Sequence, residues 1–318
     1  VHISAEILDD LMQDVFKKLL RSGKSIKPTK GAALELTGVL LELEHPRARL
    51  SSTEMKGTVF SCLGELCWYM SGKNELAPIQ YYLDYYRFCS DDGLTVHGGY
   101  GPRLFNMRGL NQIENVLKTL KKKDSRQAVI QLFDAEDIAK DHKDTPCTCT
   151  IQFFLRQDRL HMLTNMRSND VFKGLPHDIF AFTFLQELVA SSLDIQLGTY
   201  KHAVGSLHLY DDCRTKAKQY LKEGWQEKVL MPSMPAKDAW SSMNALVDAE
   251  SKIRTGIEVD IGALKLAPYW ADLARLLAIY TYTKNRKYSK AEPLSQQMSS
   301  DVYNPYIEKR MAKKNAKK

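Results

Sequence analysis

Four kinds of side chain in this sequence have the type and spacing for chemistry. Cys147 follows Pro146 and precedes a strand-like run. A thiol so placed can serve as a carbon nucleophile if nearby cations or helix dipoles lower its pKa. Arg167-Ser168-Asn169-Asp170 comes 20 residues later, and Arg126 follows Asp124-Ser125 at the head of another strand-like run. A guanidinium is a planar fork of donors that suits a phosphate. Glu65 is a carboxylate that could move protons on a heteroaromatic ring. His208 and Tyr210 alternate by two, so they share one face of an extended segment and could hydrogen-bond a sugar hydroxyl.

Each has a plainer reading. Cys147 alone is a small apolar residue, and Arg126 is a solvated strand-end arginine. Glu65 lies roughly opposite the apolar stripe of its helix and would face solvent. Asp178 would cap the helix that follows it. Gly98-Gly99-Tyr100-Gly101 is by itself a turn. No metal-ligand spacing, phosphate-cradling glycine loop or dinucleotide-binding glycine pattern appears.

The elements that must position these groups can be read from periodicity. Residues 3–21 predict an amphipathic helix, 32–43 a strand, and 52–70 a helix carrying Val59, Phe60, Leu63, Leu66, Cys67 and Met70 on its apolar positions. Residues 93–106 are glycine-rich and loop-like, and 110–121 return to helical spacing. Short β-branched or aromatic runs at 128–133, 151–155 and 160–164 predict strands, the last two joined by the hairpin-length link 156–159. Residues 179–193 predict a buried helix, with Pro176 and Asp178 at its start. From about residue 232 onward the chain is richer in helix formers, and its placement does not follow from the sequence.

The 318 residues, 44% apolar and 26% charged, suit one large globular domain or two. No run approaches the roughly 18 apolar residues of a membrane span. Residues 3–20 lack the pattern of a signal peptide. Six scattered cysteines suit neither a disulfide scaffold nor a zinc site, so a reduced, cytoplasmic setting is expected. Of the net charge of +7, Lys309, Arg310, Lys313, Lys314, Lys317 and Lys318 supply six, leaving +1 for residues 1–308. That basic tail reads as a solvated, mobile end, with a nucleic-acid contact as the lesser alternative.

Taken jointly, the pieces resemble the thymidylate synthase and pyrimidine hydroxymethylase superfamily. The matching segments are Gly64-Glu65-Leu66-Cys67-Trp68-Tyr69-Met70-Ser71-Gly72, Tyr100-Gly101, Asp124-Ser125-Arg126, Pro146-Cys147 and Gln152-Phe153. Arg167-Ser168-Asn169-Asp170, Gly174-Leu175-Pro176 and His208-Leu209-Tyr210 complete them, over roughly residues 36–212. The resemblance implies an α/β (α+β) fold, a mixed sheet flanked by helices, forming one catalytic domain over 1–318. Residues 232–308 would be a divergent helical part and 309–318 a tail. It implies a homodimer that acts on a pyrimidine nucleoside monophosphate with 5,10-methylenetetrahydrofolate and no metal. Cys147 would add to carbon six of the pyrimidine, Glu65 would relay protons, and Tyr100 would sit beside the ring. Arg167 and Ser168 would hold the phosphate with Arg126 reaching across the dimer. Asp170, Gly174 and Trp68 would lie at the folate, and His208 and Tyr210 at the sugar.

The chain departs from the synthase pattern at the position that reads the pyrimidine edge. There a synthase carries Asn and this chain Asp178. An amide matches the donor and acceptor of uracil; a neutral carboxylic acid matches the reversed edge of cytosine. Asp178 thus resembles the cytidylate hydroxymethylases. Thr148 stands where synthases usually have His, Gln127 replaces the second arginine of a pair, and residues 85–89 lack the synthase tryptophans. Synthases close the site with a short apolar tail, whereas residues 308–314 here are charged. Admitting water would give a hydroxymethyl instead of a methyl product. The expectation is therefore 5-hydroxymethylation of CMP or dCMP. Thymidylate synthesis or dUMP hydroxymethylation is the alternative, and a non-catalytic nucleic-acid-binding protein on the same scaffold a more distant one.

Overall fold

The computed structural model describes residues 1–122 and 124–312. Its strands are β1 (His2–Ala5), β2 (Lys24–Ile26), β3 (Ala33–Leu43), β4 (Val129–Gln131), β5 (Thr148–Arg156), β6 (Arg159–Asp170) and β7 (Gln196–Tyr210). They form one mixed seven-stranded sheet in the order β1-β3-β7-β6-β5-β4, with β2 paired to β3. The helices are α1 (Leu8–Ser22), α2 (Val59–Met70), α3 (Leu76–Tyr82), α4 (Tyr100–Phe105), α5 (Gln112–Leu120), α6 (Leu175–Ser192), α7 (Arg214–Glu223), α8 (Ala239–Arg254), α9 (Pro268–Lys284), α10 (Tyr288–Gln296) and α11 (Asn304–Met311). This is the mixed α/β architecture expected of the sequence, helical in its C-terminal part.

Local chemistry explains the hairpin between β5 and β6. Arg156 pairs with Arg159, and the two residues between them, Gln157 and Asp158, have φ of 50° and 54°. Two positive-φ residues make the turn whose twist matches that of the flanking strands. One residue of β5 is out of step: the register shifts between Thr148 and Thr150, leaving Cys149 as a bulge two residues from Cys147. Bulges re-aim neighbouring side chains, and this one lies where the candidate nucleophile leaves the sheet.

The β6–α6–β7 unit brings the motif residues together. β6 and β7 are parallel, with Ser168 opposite Ser206 and Asp170 opposite His208. Arg167 through Asp170 and His208 through Tyr210 therefore end side by side, next to the start of α6. The carboxyl ends of parallel strands are where such sheets hold ligands.

Helix burial was the feature least visible beforehand. α6 rests on β6 and β7, α2 on α6, and α8 and α9 on α2. Every residue of α2 except Ser61 is buried, including Glu65. The expectation that Glu65 faces solvent is corrected: Tyr86, from the segment after α3, and the start of α6 cover the face that periodicity left open. Residues 3–5 are also strand and not helix, because β1 finds a parallel partner in β3. A short helix, α4, interrupts the expected loop at 93–106. At the C-terminal side, Lys309 pairs with Glu54 at 2.7 Å and the Arg310 guanidinium lies 4.0 Å from the Tyr280 ring. These two are held to the body and not solvated as expected; residues 313–318 of the basic tail lie outside the described residues.

Gly64 sets the contact between α2 and α3. A Cβ there would stand 2.3 Å from Cγ of Tyr82, whose hydroxyl donates to Glu250 of α8 at 2.9 Å. Gly64→Ala should destabilise the protein by about 2 kcal/mol despite the higher helix propensity of Ala. Urea unfolding measures it, and a stabilised variant would contradict this packing.

Candidate active site

Cys147 is half-buried at the mouth of β5. Its carbonyl accepts from the Arg167 backbone N–H at 2.8 Å. The Arg167 side chain folds back over it: Nε donates to the Pro146 carbonyl at 3.0 Å, and Nη2 donates to the Thr145 carbonyl and hydroxyl. Nη2 also lies 3.8 Å from the Cys147 Sγ. Burial pushes the thiol up to about 11. Arg167 opposes this, Asp144 and Asp178 add to it, and Lys30 opposes it. The resting thiol is therefore neutral, and Arg167 is the cation best placed to stabilise a thiolate. Lys30, in the loop before β3, was not singled out from the sequence; its only signal was a pair of lysines, Lys27 and Lys30, flanking Pro28-Thr29.

Glu65 and Asp178 are the two buried acids of the site. Oε1 of Glu65 accepts from Tyr86 Oη at 2.6 Å and from Tyr69 Oη at 3.1 Å. Burial raises this carboxyl to about 7, and the two phenols hold it back from rising further. Asp178 lies in the first turn of α6, but its side chain caps nothing; Gly174 occupies the cap position. The helix starts earlier than the expected residue 179, so Asp178 is turned inward, correcting its plainer reading as a cap. Its Oδ2 accepts from Asn169 Nδ2 at 2.7 Å. Burial, and next the charge of Glu65, hold its carboxyl well above the usual range. Two nearby acids in a dry pocket do not both ionise.

Tyr100 joins these groups to Cys147. Its hydroxyl accepts from the Thr148 backbone N–H at 3.2 Å and from the Thr148 hydroxyl at 2.9 Å, and its ring lies 4.8 Å from that of Tyr69. Burial raises its phenol well above the usual range, and Asp178 and then Cys147 lie close enough to act on it. Thr148, where the resemblance led us to look for His, thus anchors Tyr100.

The other expected residues are placed as follows. Asp170 Oδ1 accepts from the backbone N–H groups of Phe172 and Lys173, at 2.8 and 2.9 Å, which fixes the turn into α6. Gly174 lies against the acid pair: a Cβ there would sit 3.0 Å from Asn169 Nδ2 and 3.4 Å from Asp178 Oδ2. Ser168 is half-buried beside Ser206, and His208 packs edge-on to Tyr210 with ring centroids 4.9 Å apart. Trp68 is buried and donates its indole N–H to the Glu75 carbonyl at 2.9 Å; what it visibly does is pack on Tyr86 beside Glu65. Arg126 is exposed and is not gathered in. Gln152 donates to its carbonyl at 2.9 Å, which sets it five residues along β5 from Cys147, about 17 Å at strand rise. Among the described residues no group of three or more His, Cys, Asp or Glu is placed to hold a metal ion, and no helix is long and apolar enough to cross a membrane.

The raised Glu65 makes a pH prediction. Unfolded, the carboxyl ionises near 4.5; folded, near 7. Between those values the folded chain keeps a proton that the unfolded chain has lost. The resulting stability is whole below pH 4.5 and is lost as pH rises through 7, by up to about 3 kcal/mol. Glu65→Gln is neutral throughout. The wild-type stability minus that of Glu65→Gln, from urea unfolding, should fall by about that amount from pH 4.5 to 8. A flat difference would mean that Glu65 ionises normally.

Comparison with known proteins agrees with this geometry. The sequence model of the thymidylate synthase family matches residues 10–247. A deoxyuridylate hydroxymethyltransferase of Pseudomonas phage M6 is 32% identical over 167 residues, which cover 51% of this chain and 48% of that protein. One of Delftia phage PhiW-14 is 31% identical over 195 residues, covering 57% of this chain and 54% of its own length. A thymidylate synthase of Buchnera aphidicola subsp. Schizaphis graminum is 27% identical, covering 65% of this chain and 81% of its own. The chain spans about half the length of the two phage relatives. With Arg167 beside Cys147, Tyr100 anchored on Thr148, Tyr69 bridging Tyr100 to Glu65, and most of its length matched, the chain belongs to the thymidylate synthase family.

Proposed function

We propose that this protein adds a hydroxymethyl group to carbon five of a cytidine monophosphate, CMP or dCMP, taking the carbon from 5,10-methylenetetrahydrofolate. The observation that carries this reading is Asp178. It is buried, and burial together with the nearby Glu65 holds its carboxyl well above the usual carboxylate range, which favours the neutral acid. A neutral acid offers one donor and one acceptor, the complement of the cytosine N3 and amino group. Cys147, losing its proton, would add at carbon six and break the conjugation that makes the ring a poor nucleophile. Carbon five would then attack the one-carbon unit. Loss of the carbon-five proton would expel tetrahydrofolate and leave an exocyclic methylene, to which water would add as Cys147 is expelled and the carbon five to carbon six double bond re-forms. Glu65, held to about 7, suits proton relay in both directions at neutral pH.

Arg167 and Ser168 are assigned to the phosphate, His208 and Tyr210 to the sugar, and Asp170 with Gly174 to the folate. Both backbone donors to Asp170 use Oδ1, which leaves Oδ2 for a ligand. Arg126 can join the phosphate clamp only from a second copy of the chain, since its own Cys147 is about 17 Å away along β5. A homodimer follows from that role.

The names of the phage relatives favour a second reading, hydroxymethylation of dUMP. Incubation with CMP, dCMP, UMP and dUMP in turn, with methylenetetrahydrofolate and 18O-labelled water, separates the two by mass spectrometry. A labelled hydroxymethyl product is expected from a cytidylate. Product from dUMP alone would establish the second reading, and an absorbance rise from dihydrofolate would mark methylation. Asp178→Asn should shift the cytosine-to-uracil preference toward uracil by about 100-fold, because an amide matches the opposite edge. An unchanged preference would remove Asp178 from base recognition.

A further inference from the structure

Behind Asp178 runs a line of buried polar groups that the reaction itself does not use. Asn169 Nδ2 contacts Asp178 Oδ2 at 2.7 Å, and Asn169 Oδ1 contacts His202 Nε2 at 3.1 Å. His202 Nδ1 then meets the Tyr200 hydroxyl at 2.7 Å. Tyr200, His202 and Asn169 are 1%, 0% and 4% exposed, so water cannot substitute for any link. Tyr200 and His202 alternate on β7, Asn169 lies on the neighbouring β6, and Asp178 comes from α6. Three elements converge on this row of polar side chains, with the buried Thr164 hydroxyl beside Tyr200 at its far end, and a buried group left unmet here would cost about as much as a whole hydrogen bond.

We propose that Tyr200, His202 and Asn169 form a one-way hydrogen-bond chain that decides which oxygen of Asp178 carries its proton, and so set the base specificity of the site. This rests on Asp178 being the residue that reads the base. The direction comes from Tyr200. A phenol is a good donor and a poor acceptor, and an unprotonated imidazole nitrogen is a good acceptor. Tyr200 Oη–H therefore donates to His202 Nδ1. His202 is neutral, since burial lowers it to about 3, so its one proton lies on Nε2. Nε2–H donates to Asn169 Oδ1, which turns the amide so that Nδ2–H faces Asp178 Oδ2. Oδ2 is then an acceptor, and the proton of the neutral acid resides on Oδ1. The base meets Oδ1–H as donor and the second lone pair of Oδ2 as acceptor.

The reversed chain would specify a different site. With His202 protonated on Nδ1, Asn169 would flip and present Oδ1 to Asp178. The acid would spend its proton on that amide and show the base only lone pairs. Cytosine N3, itself a lone pair, would be repelled. Tyr200, His202 and Asn169 are therefore positioning residues that act on the base through Asp178.

Two measurements on the full-length protein test the chain. Nitrogen-15 NMR of the His202 ring in the wild type should show the proton on Nε2; a proton on Nδ1 would overturn the proposal, and no substitution is needed to see it. Tyr200→Phe removes one oxygen and keeps the ring. It should leave both tautomers populated and lower the ratio of cytidylate to uridylate affinity about tenfold, by calorimetry with each nucleotide as ribose and deoxyribose. Asn169→Ser should lower the same ratio with its melting transition intact. A Tyr200→Phe protein with an unchanged tautomer and an unchanged ratio refutes the chain. A wild-type preference for uridylate refutes the cytidylate reading instead, and the tautomer measurements still decide the direction of the chain.

Discussion

Two carboxyl groups share a dry pocket, and the rest of the site depends on how that burial is handled. Glu65 receives two phenol hydroxyls and settles near neutrality, while Asp178 receives one amide and is held well above the usual carboxylate range. Environments that push two acids apart assign them different tasks. The one near 7 can give and take protons, and the one held neutral can only offer a fixed pattern of donor and acceptor. Neither property belongs to the residue type. Both come from the surrounding aromatic and apolar side chains, including Tyr69, Tyr86, Tyr100 and Phe182.

That burial is supplied from far along the chain. α2 carries Glu65 with no solvent-facing side of its own, because α6 covers one flank and α8 and α9 another. Gly64 lets the Tyr82 ring lie on the helix one residue before Glu65, and Tyr82 is tied in turn to Glu250. The C-terminal helices thus close the Phe60, Gly64 and Cys67 side of α2, while Tyr69, Tyr86 and the start of α6 enclose Glu65 on the other.

Much of this was legible in the sequence where the determinant is local. The strands at 128–133, 151–155 and 160–164 and the buried helix at 179–193 follow from period and turn chemistry, and all are found. The order of Pro146-Cys147, Arg167-Ser168-Asn169-Asp170 and Gly174-Leu175-Pro176 was sufficient to indicate the family, with Asp178 as its departure. What stayed hidden depends on contacts between distant segments. Glu65 reads as solvent-facing until Tyr86 and the start of α6 are placed beside it. His2–Ala5 continues a helical pattern until β3 offers its edge. Asn169 and His202 carry no periodic signal at all; they are neighbours because β6 and β7 run parallel, and that register is set by the whole sheet. Arg126 is the reverse case, plain in the sequence and yet set beside Gln152, five residues along the chain from Cys147.

An aspartate in place of an asparagine does not by itself turn a uracil site into a cytosine site. Ionised, a carboxylate offers only acceptors. It would satisfy the cytosine amino group and set a negative charge against the N3 lone pair; against uracil it would leave O4 without a donor. Only the protonated acid distinguishes the two edges, and only if its proton is on the oxygen that faces N3. Water at Asp178 would undo this at neutral pH, since the solvated carboxyl ionises near 3.8. The substitution therefore requires the burial that raises the carboxyl and a partner that fixes the proton. In this fold the first comes from α6 packed between the sheet and α2, and the second from a single amide, Asn169, held from behind by a histidine and a tyrosine.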